Sequence, residues 1–364
     1  MKYIYPIICL LLISFTASTS FAARTKIQNI ATDPYRSAIL LNAATGEVLF
    51  EKNADAVVYP ASSLKLMTLL VILERIEQGF LKLDDMVQVT VEAYKMGGSQ
   101  VYLDPKEQFP IEDLLYALMI QSANDAAVAL AGHVAGSQEA FVEMMNKKAA
   151  ELGMNHTTFH SVHGLPPSNN KGVDVSTARD FGILCRYLST KPEVFKYTSA
   201  RVRDFRGGEF IMRTHNHLLK QVAGCDGFKT GYFTKAGFSI AATAKRGGVR
   251  IIAIVMGSKN RKVRDAKAIE LLNKGFAMVP QQPEQAVQKH PVPSVTVATP
   301  EKNTKTAEPE QVEAKTSKAV QAPAGKSGFA WTTFFMGLVL GFILYAALNY
   351  VIARKKRKRK WRMR

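Results

Sequence analysis

The sequence Tyr59-Pro60-Ala61-Ser62-Ser63-Leu64-Lys65 decides more about this chain than any other stretch of its 364 residues. Helices favour proline at their start, because its φ is already helical and it has no N–H group to satisfy. The apolar residues that follow recur at helical spacing, which predicts a helix from Ser62 to Gln78. Ser62 and Lys65 are three residues apart and therefore lie on one face of its first turn.

Ser62 and Lys65 are residue types that can act as a nucleophile and its base. A serine hydroxyl is a poor nucleophile until a base within hydrogen-bond reach takes its proton. A lysine can be that base if burial and a second nearby cation lower its pKa. The helix N-terminus adds partial positive charge where an oxyanion would form. Taken alone, however, the spacing of Ser62 and Lys65 is explained as well by a helix start followed by a surface lysine.

Two later motifs favour the catalytic interpretation. Ser122-Ala123-Asn124 interrupts an apolar helical stretch, and it supplies a second hydroxyl for proton relay and an amide. Lys229-Thr230-Gly231 lies on a predicted strand, where the lysine and threonine can bind a carboxylate and the glycine lets a substrate backbone approach closely. Each motif is weak by itself, and their order along the chain makes the set specific.

The remaining pattern predicts one sheet assembled from both ends of the domain. Short apolar runs at 38–41 and 47–50 predict a β-hairpin near the start. Strands at 226–233, 238–245 and 249–256 are predicted near the end, the last two as an antiparallel hairpin. Further helices are predicted at 111–121, 124–135, 137–152, 176–189 and 262–277. The fold class is therefore α/β (α+β), with a mainly antiparallel sheet and helices on its faces.

The three motifs in this order are typical of penicillin-binding proteins and class A β-lactamases. The chain resembles the low-molecular-mass penicillin-binding proteins, serine D-alanyl-D-alanine carboxypeptidases of peptidase family S11, over about residues 30–278. This resemblance implies a β-lactamase/transpeptidase-like fold. It extends to further segments, namely Gly97-Gly98-Ser99-Gln100-Val101-Tyr102-Leu103, His163-Gly164-Leu165, Ser176-Thr177-Ala178-Arg179-Asp180 and Asp226-Gly227.

The resemblance also implies roles for the catalytic residues. Ser62 would carry the acyl group and Lys65 would accept its proton, while Ser122 and Asn124 would complete the relay. The backbone N–H groups of Ser62 and Tyr232 would form the oxyanion hole.

A second group of residues would bind the substrate. Lys229 and Thr230, with Gly231 and Tyr232 beside them, would hold the terminal carboxylate of the peptide. Arg264 stands where family members keep an arginine for that carboxylate, although its basic neighbours also fit a solvated helix start. Lysine, threonine and arginine are the side-chain types that an anion site needs.

The implied activity is removal of the terminal D-alanine from peptidoglycan stem pentapeptides, with β-lactam antibiotics as acylating inhibitors. A D,D-endopeptidase of the same family, which cuts crosslinks, is the nearest alternative. A β-lactamase is disfavoured because the stretch from His163 to Asp174 contains no glutamate for deacylation. A non-catalytic envelope scaffold would require the motifs to be relics, yet all their reactive side chains are present.

Two departures from the family pattern stand out. Phe233 replaces a common threonine, and on a strand it projects to the same face as Lys229, so we expect it to affect substrate preference or the width of the cleft. The β-rich second domain of many relatives has no counterpart, because the catalytic domain passes directly into a linker.

Neither a metal nor a cofactor is expected. His163, His215 and His217 match no common zinc spacing, and we expect local hydrogen bonding in loops instead. Cys185 and Cys225 could form one disulfide or remain as buried thiols.

The N-terminus and the catalytic region point to an exported protein. Residues 1–22 combine a basic start, a short apolar run and Ser20-Phe21-Ala22, which predicts a signal peptide, with a retained anchor as the alternative. The catalytic domain is assigned to 23–279. Residues 280–328 contain seven prolines and no Leu, Ile, Met or aromatic residue, so they are predicted to be a disordered linker.

The C-terminal end predicts a membrane anchor. Residues 329–353 are uncharged and long enough to span a bilayer as one helix in contact with lipid. Nine of the eleven residues at 354–364 are basic, which places this tail in the cytoplasm and the catalytic domain on the outer, periplasmic face of the inner membrane. The tail also supplies half of the net charge of +18, so nucleic-acid binding is not expected.

Overall fold

A computed structural model describes residues 27–167 and 172–280. Its centre is a five-stranded sheet in the order β2-β1-β9-β8-β7, and every neighbouring pair is antiparallel. The strands are β1 (Ser37–Asn42), β2 (Val48–Lys52), β7 (Cys225–Phe233), β8 (Gly237–Arg246) and β9 (Val249–Ser258). The predicted strands and their antiparallel pairing are therefore confirmed.

The sheet joins the two ends of the domain directly. Ser37 of β1 lies opposite Met256 of β9, and Asn42 lies opposite Ile251. Because side chains alternate between the faces of a strand, β1 contributes to two cores at once. Ile39 belongs to one core, and Leu40 belongs to the other.

Two helices of the described region cover the first face of the sheet. The short one, α8 (Leu218–Gln221), contributes Leu218 to this core. The longer one is the C-terminal helix of the described region, α9 (Arg261–Met278), which begins after Asn260 caps Lys262 N–H with its side chain. Its buried residues Leu271, Leu272 and Phe276 pack against Leu40 and the matching residues of β8 and β9. This packing fixes the first turn of α9 beside the sheet.

The larger core on the other face is built mainly by helices from the middle of the chain. These are α1 (Lys65–Glu77), α2 (Val91–Tyr94), α3 (Ile111–Tyr116), α4 (Asn124–Ala135), α5 (Gln138–Leu152), α6 (Ala178–Leu188) and α7 (Pro192–Thr198). Two small antiparallel sheets lie between them, formed by β3 (Met86–Gln88) with β4 (Gln108–Pro110) and by β5 (Val202–Phe205) with β6 (Phe210–Arg213). Helix α1 is buried along ten consecutive residues, so it runs through the core.

The structure differs from prediction at three helix boundaries. The first turn of the predicted helix from Ser62 is a 3-10 turn, Ala61–Leu64. The predicted helix at 111–121 ends as a π-helical turn, Ala117–Gln121, and the one at 176–189 begins only at Ala178. The short elements β3 to β6, α2, α7 and α8 were not predicted, because runs of three to seven residues carry too little periodicity.

Cys185 and Cys225 are free thiols, so the disulfide alternative is wrong. Among residues 27–167 and 172–280, no helix is both long and apolar enough to cross a membrane. The predicted signal peptide, linker, transmembrane helix and basic tail lie outside the described residues.

Candidate active site

The 3-10 turn Ala61–Leu64 places Ser62 at the sheet. Ala61 has a φ of 48°, a left-handed conformation that non-glycine residues seldom adopt. Two glycines hold the turn tightly, because a Cβ at Gly164 would overlap the Ala61 carbonyl and one at Gly231 would overlap the Pro60 carbonyl. Backbone strain of this kind persists only where the surrounding packing enforces it, and it is common at functional sites.

Lys65 is fully buried directly beside Ser62. Its Nζ lies 3.2 Å from Ser62 Oγ, 2.7 Å from Asn124 Oδ1 and 2.6 Å from the carbonyl oxygen of His163. Burial, and then the charge of Lys229, lower the pKa of Lys65 well below its usual range. A neutral amine at this position donates to Asn124 and His163 and keeps its lone pair for the Ser62 hydroxyl.

Asn124 is held in one orientation by the segment that precedes α3. Its Nδ2 donates to the carbonyl of Gly97 at 2.7 Å, and its backbone N–H donates to the carbonyl of Ser99 at 2.8 Å. This directs Oδ1 towards Lys65. Ser122, two residues earlier, is also buried and has a φ of 61°, so the predicted break in the helix is confirmed.

Lys229 is the second buried lysine of the site and is only 3% exposed on β7. Its Nζ donates to the carbonyl of Thr230 at 3.2 Å. Burial and the neighbouring guanidinium of Arg264 lower the pKa of Lys229 to about 7. Lys229 therefore exchanges its proton near neutral pH and controls the charge that Lys65 experiences.

Arg264 lies in the first turn of α9 and is 2% exposed. Its Nη1 donates to the carbonyl of Ser239 at 3.2 Å, while Nε and Nη2 donate to Asp265 Oδ1 at 2.9 and 2.5 Å. Burial lowers the pKa of this guanidinium. The alternative of a solvated helix start is wrong for Arg264, because its side chain is enclosed between α9 and the sheet.

These elements surround one small pocket of about 270 Å³. Its lining residues come from every predicted motif and from two further loops: Ser62, Ser99, Ser122, His215, His217, Thr230, Gly231, Tyr232, Phe238, Arg261 and Arg264. Lys65 and Asn124 reach it through the hydrogen bond between Lys65 and Ser62. A nucleophile with a neutral amine therefore faces a wall of cations and hydroxyl groups, which suits an acyl group next to a carboxylate.

Gly231 has a packing role in addition to the one predicted. It does line the pocket, but a Cβ there would also lie 2.8 Å from Ser63 Oγ, in addition to overlapping the Pro60 carbonyl. Glycine is required because β7 packs directly on the turn that carries Ser62. Close approach of a substrate is not needed to explain it.

Phe233 also lies in a different environment from the expected one. Its ring stacks on Tyr59 with the centroids 5.9 Å apart and the planes 16° from parallel. Tyr232, the neighbouring residue, is half exposed, lines the pocket and stacks on Phe238 at 4.1 Å. Tyr232 and Phe238 therefore line the pocket, while Phe233 packs on Tyr59, the residue before Pro60.

Sequence reasoning missed residues on both sides of the site. His215, His217 and Arg261 line the pocket outside any recognisable motif, and Ser99, in the segment 97–103 that resembles the family, was given no role. Asp125, directly after Asn124, is buried and accepts from the N–H groups of Val101 and Leu103, at 3.1 Å to Oδ2 in each case. The one feature of the sequence that indicated Asp125 was the presence of an acidic residue directly after a motif residue in an apolar stretch.

The histidines only partly follow the expectation of local hydrogen bonding. His163 Nδ1 accepts from the N–H of Leu165 at 3.1 Å, which is local. His217 Nε2 lies 3.3 Å from Nη1 of Arg261, on a different element.

The comparisons with known proteins agree with this geometry. The model of the Peptidase S11 family, described as D-alanyl-D-alanine carboxypeptidase, matches residues 23–260. The chain is 37% identical over 245 residues to the D-alanyl-D-alanine carboxypeptidase DacF of Bacillus subtilis, which covers 66% of this chain and 62% of that protein. It is 38% identical over 268 residues to DacC of Escherichia coli, covering 71% of this chain and 65% of that protein.

Solved structures give the same result for the fold. Penicillin-binding protein 6B of Escherichia coli matches with a TM-score of 0.62 and 34% identity, over 66% of this chain and 77% of that one. Penicillin-binding protein D2 of Listeria monocytogenes in its ampicillin-bound form matches with a TM-score of 0.61 and 33% identity, over 67% of this chain and 97% of that one. The penicillin-binding, transpeptidase-like α/β fold with an antiparallel sheet is therefore confirmed.

The match leaves part of each chain unpaired, since this chain spans between 62% and 65% of the length of the first two relatives. The family match over residues 23–260 nevertheless contains all three motifs and every residue that lines their pocket except Arg261 and Arg264. The chain belongs to the peptidase S11 family of D-alanyl-D-alanine carboxypeptidases.

Proposed function

We propose that this protein is a serine D-alanyl-D-alanine carboxypeptidase that removes the terminal D-alanine from peptidoglycan stem pentapeptides and so limits crosslinking. The observation that carries this proposal is the fully buried Lys65, whose Nζ lies 3.2 Å from Ser62 Oγ at the wall of a cationic pocket. Relatives named D-alanyl-D-alanine carboxypeptidases support it.

In the first step, Ser62 Oγ attacks the carbonyl carbon of the penultimate D-alanine. Neutral Lys65 accepts the hydroxyl proton, and Ser122 relays that proton from Lys65 to the leaving amine as the C–N bond breaks, so that both residues return to their starting state. D-Alanine departs and the remaining peptide is held on Ser62 as an ester. Water then attacks that ester, and Ser62 regains its proton.

Asn124 acts on this chemistry through Lys65. It fixes the amine with a 2.7 Å hydrogen bond and is itself held by Gly97. Backbone N–H groups of Ser62 and Tyr232 stabilise the oxyanion, an arrangement that is worth several kcal/mol in other acyl-transfer enzymes. We assign these catalytic roles from the motifs and from the pocket geometry together.

The carboxylate beyond the scissile bond is bound by the cationic side of the pocket. Thr230 and Arg264 line it directly, and Lys229 adds its charge from within β7. Gly231 keeps β7 against the turn, and Tyr232 forms the outer wall. A free carboxylate at the end of the substrate makes this cluster of cations favourable.

β-Lactam antibiotics would acylate Ser62 in the same pocket. They combine an acyl carbonyl with a nearby carboxylate, as the D-alanyl-D-alanine end does. The Listeria monocytogenes relative with ampicillin bound, and its cefotaxime-bound form, support this assignment.

The direct test offers the purified full-length chain two substrates, a stem pentapeptide and a crosslinked peptide dimer. We expect free D-alanine from the pentapeptide, measured by chromatography. Cleavage of the dimer alone would contradict the proposal and favour the endopeptidase. Rapid turnover of penicillin, in place of stable labelling, would favour a β-lactamase.

We also propose the following arrangement of the whole chain at the bacterial inner membrane. Residues 1–22 are an export signal, and residues 23–279 are the catalytic domain on the periplasmic face. Residues 280–328 are a linker, 329–353 cross the lipid bilayer once, and 354–364 remain in the cytoplasm. The uncharged stretch of 25 residues and the nine basic residues after it support this topology.

A further inference from the structure

Two histidines at the pocket have no part in the proposed reaction. His215 and His217 lie between β6 and α8 and line the same cavity as Ser122, Thr230 and Arg264. The His215 side chain is exposed, so it can meet a ligand that enters from solvent. Its position is on the side of the pocket where the proposed carboxylate binds.

Four basic groups face His215, and each of them lowers its pKa when it carries a proton: Lys229 from β7, Lys65 from α1, Arg264 from α9 and His217 from its own segment. Arg261 of α9 lies beside His217, also at the pocket.

The carboxylate of Asp265 on α9 is bonded to Arg264 and so is already neutralised. Arg261 and the protonated fraction of Lys229 then leave this side of the pocket with positive charge that an incoming anion would balance.

The protonation of His215 depends on that anion. Partial burial, and then the neighbouring cations, lower its pKa to about 4, so the ring is neutral at neutral pH. A carboxylate placed within about 4–6 Å favours the charged form and would raise the pKa of a histidine by about 1–3 units. The terminal carboxyl of a peptide has a pKa of about 3.3–3.7 and stays ionised above pH 5.

We infer that His215 is a further binding residue for the terminal carboxylate of the peptide, and that it takes up a proton when this carboxylate enters the pocket. The inference rests on the proposed function, because it assigns His215 to one end of the same substrate. His215 then adds specificity, because it strengthens the binding of a peptide that ends in a free carboxylate and does not strengthen the binding of one that ends in an amide. This gain in affinity increases as the pH falls.

Proton uptake can be measured directly by isothermal titration calorimetry. The full-length Ser62→Ala chain is titrated at pH 5.5 with an N-acetylated peptide ending in D-Ala-D-Ala, in two buffers of different ionisation enthalpy. Lys229, with a pKa of about 7, is already protonated at this pH and contributes little. For a rise of about 1–3 units in the pKa of His215, we expect uptake of about 0.2 to 0.9 proton per bound peptide.

Two variants and one ligand make the test specific. Adding His215→Gln should abolish this uptake, while His156→Gln, at an exposed histidine outside the pocket, should leave it unchanged. His215→Arg supplies a permanent charge and should bind the acid without taking up a proton. The same peptide with a C-terminal amide should bind to the parent without uptake.

Equal uptake with and without His215 would overturn the inference, and so would equal uptake with acid and amide, or failure of the peptide to bind. Hydrolysis of the pentapeptide by the unmodified chain is measured separately. A chain that releases D-alanine but shows no effect of His215→Gln keeps the proposed function and loses only this inference.

Discussion

At the scale of single residues, the site depends on two lysines, Lys65 and Lys229, whose pKa values burial lowers below the usual range. Lys65 serves as a base only when neutral, and the charge of Lys229 helps to keep it so. Lys229 in turn has its pKa lowered to about 7, in part by Arg264. The three groups form a series in which each cation lowers the pKa of the next one inward.

The first prediction concerns the pH dependence of acylation. Acylation requires neutral Lys65, so its rate rises with pH through the pKa of Lys65. At pH values below 7 Lys229 is charged, and Lys229→Met removes this charge. The pKa of Lys65 should then rise and the acid limb of the profile should move to higher pH. The measurement is the second-order rate of penicillin acylation from pH 5 to 9. If the acid limb of Lys229→Met lay at the same pH as that of the parent, the coupling between Lys229 and Lys65 would be contradicted, even if the maximum rate changed.

The second prediction concerns stability. The folded chain lowers the pKa of Lys229 from 10.5 to about 7, so between these values the unfolded state binds more protons and stability increases with pH. At pH 7 and below, the buried amine is destabilising. Burying a charged amine has a desolvation penalty of several kcal/mol, and replacing even a buried ion pair by well-packed apolar side chains is often neutral or stabilising by about 1–4 kcal/mol. Lys229→Met should therefore raise the free energy of unfolding at pH 7, with a smaller gain at pH 10.

Urea unfolding of the full-length chain at pH 7 and at pH 10 measures the free energy of unfolding. Lys245→Met is the matched control, since Lys245 is exposed on β8 and should change little. A Lys229→Met variant that unfolds at the same or lower urea concentration than the parent at pH 7 would contradict the prediction.

At the scale of elements, the critical contact is between β7 and the 3-10 turn that carries Ser62. Gly231 and Gly164 let two different segments touch the backbone of that turn. The left-handed φ of Ala61 and of Ser122 adds local strain at the two sides of the pocket. The positions of the reactive groups are therefore fixed by backbone packing as much as by side-chain hydrogen bonds.

Gly231→Ala tests this contact. The added methyl group overlaps the Pro60 carbonyl and pushes β7 away from Ser62, and a displacement of about 1 Å can cost about 10²-fold in rate. Penicillin acylation should fall by about that factor. The control is Gly132→Ala on α4, where the methyl group meets open space and should add about 0.5–1 kcal/mol of stability without changing acylation. Equal acylation by both variants would contradict this role of Gly231.

The sequence predicted the long elements and the motif residues well, for physical reasons. The strands 226–233, 238–245 and 249–256 and the helix at 262–277 are long enough for their periodicity to be read. The 3-10 turn at Ser62 could not be predicted, because it results from packing against Gly164 and Gly231, which are distant in sequence. His215 and Arg261 were missed for the same reason, since loops carry no periodicity and their neighbours are set by the fold.

At the scale of the whole molecule, the sheet brings the two ends of the domain together. β1 from the start of the chain pairs with β9 from its end, and β9 leads into α9 with Arg264. The nucleophile follows the first hairpin, whereas Lys229 lies on β7 and Arg264 lies in α9, near the end of the domain. Loss of either end would therefore separate the base from the carboxylate site.

The proposed anchor makes a prediction at this scale. The full-length chain should stay with the membrane after alkaline extraction, because 25 uncharged residues at 329–353 bury enough apolar surface to hold it. A chain that ends at residue 328 should be released into the soluble fraction and still be labelled by penicillin. Release of the full-length chain by alkali would contradict the topology.

The central claim is that Ser62 carries the acyl group, and mass spectrometry of the penicillin-treated chain tests it most directly. We predict one covalent adduct, on the proteolytic peptide that contains Ser62, and no adduct in Ser62→Ala. Lys65→Ala should reduce the rate at which the adduct forms by about 10²–10⁴-fold, the usual contribution of a general base. An adduct on another residue, or labelling that persists in Ser62→Ala, would contradict the account.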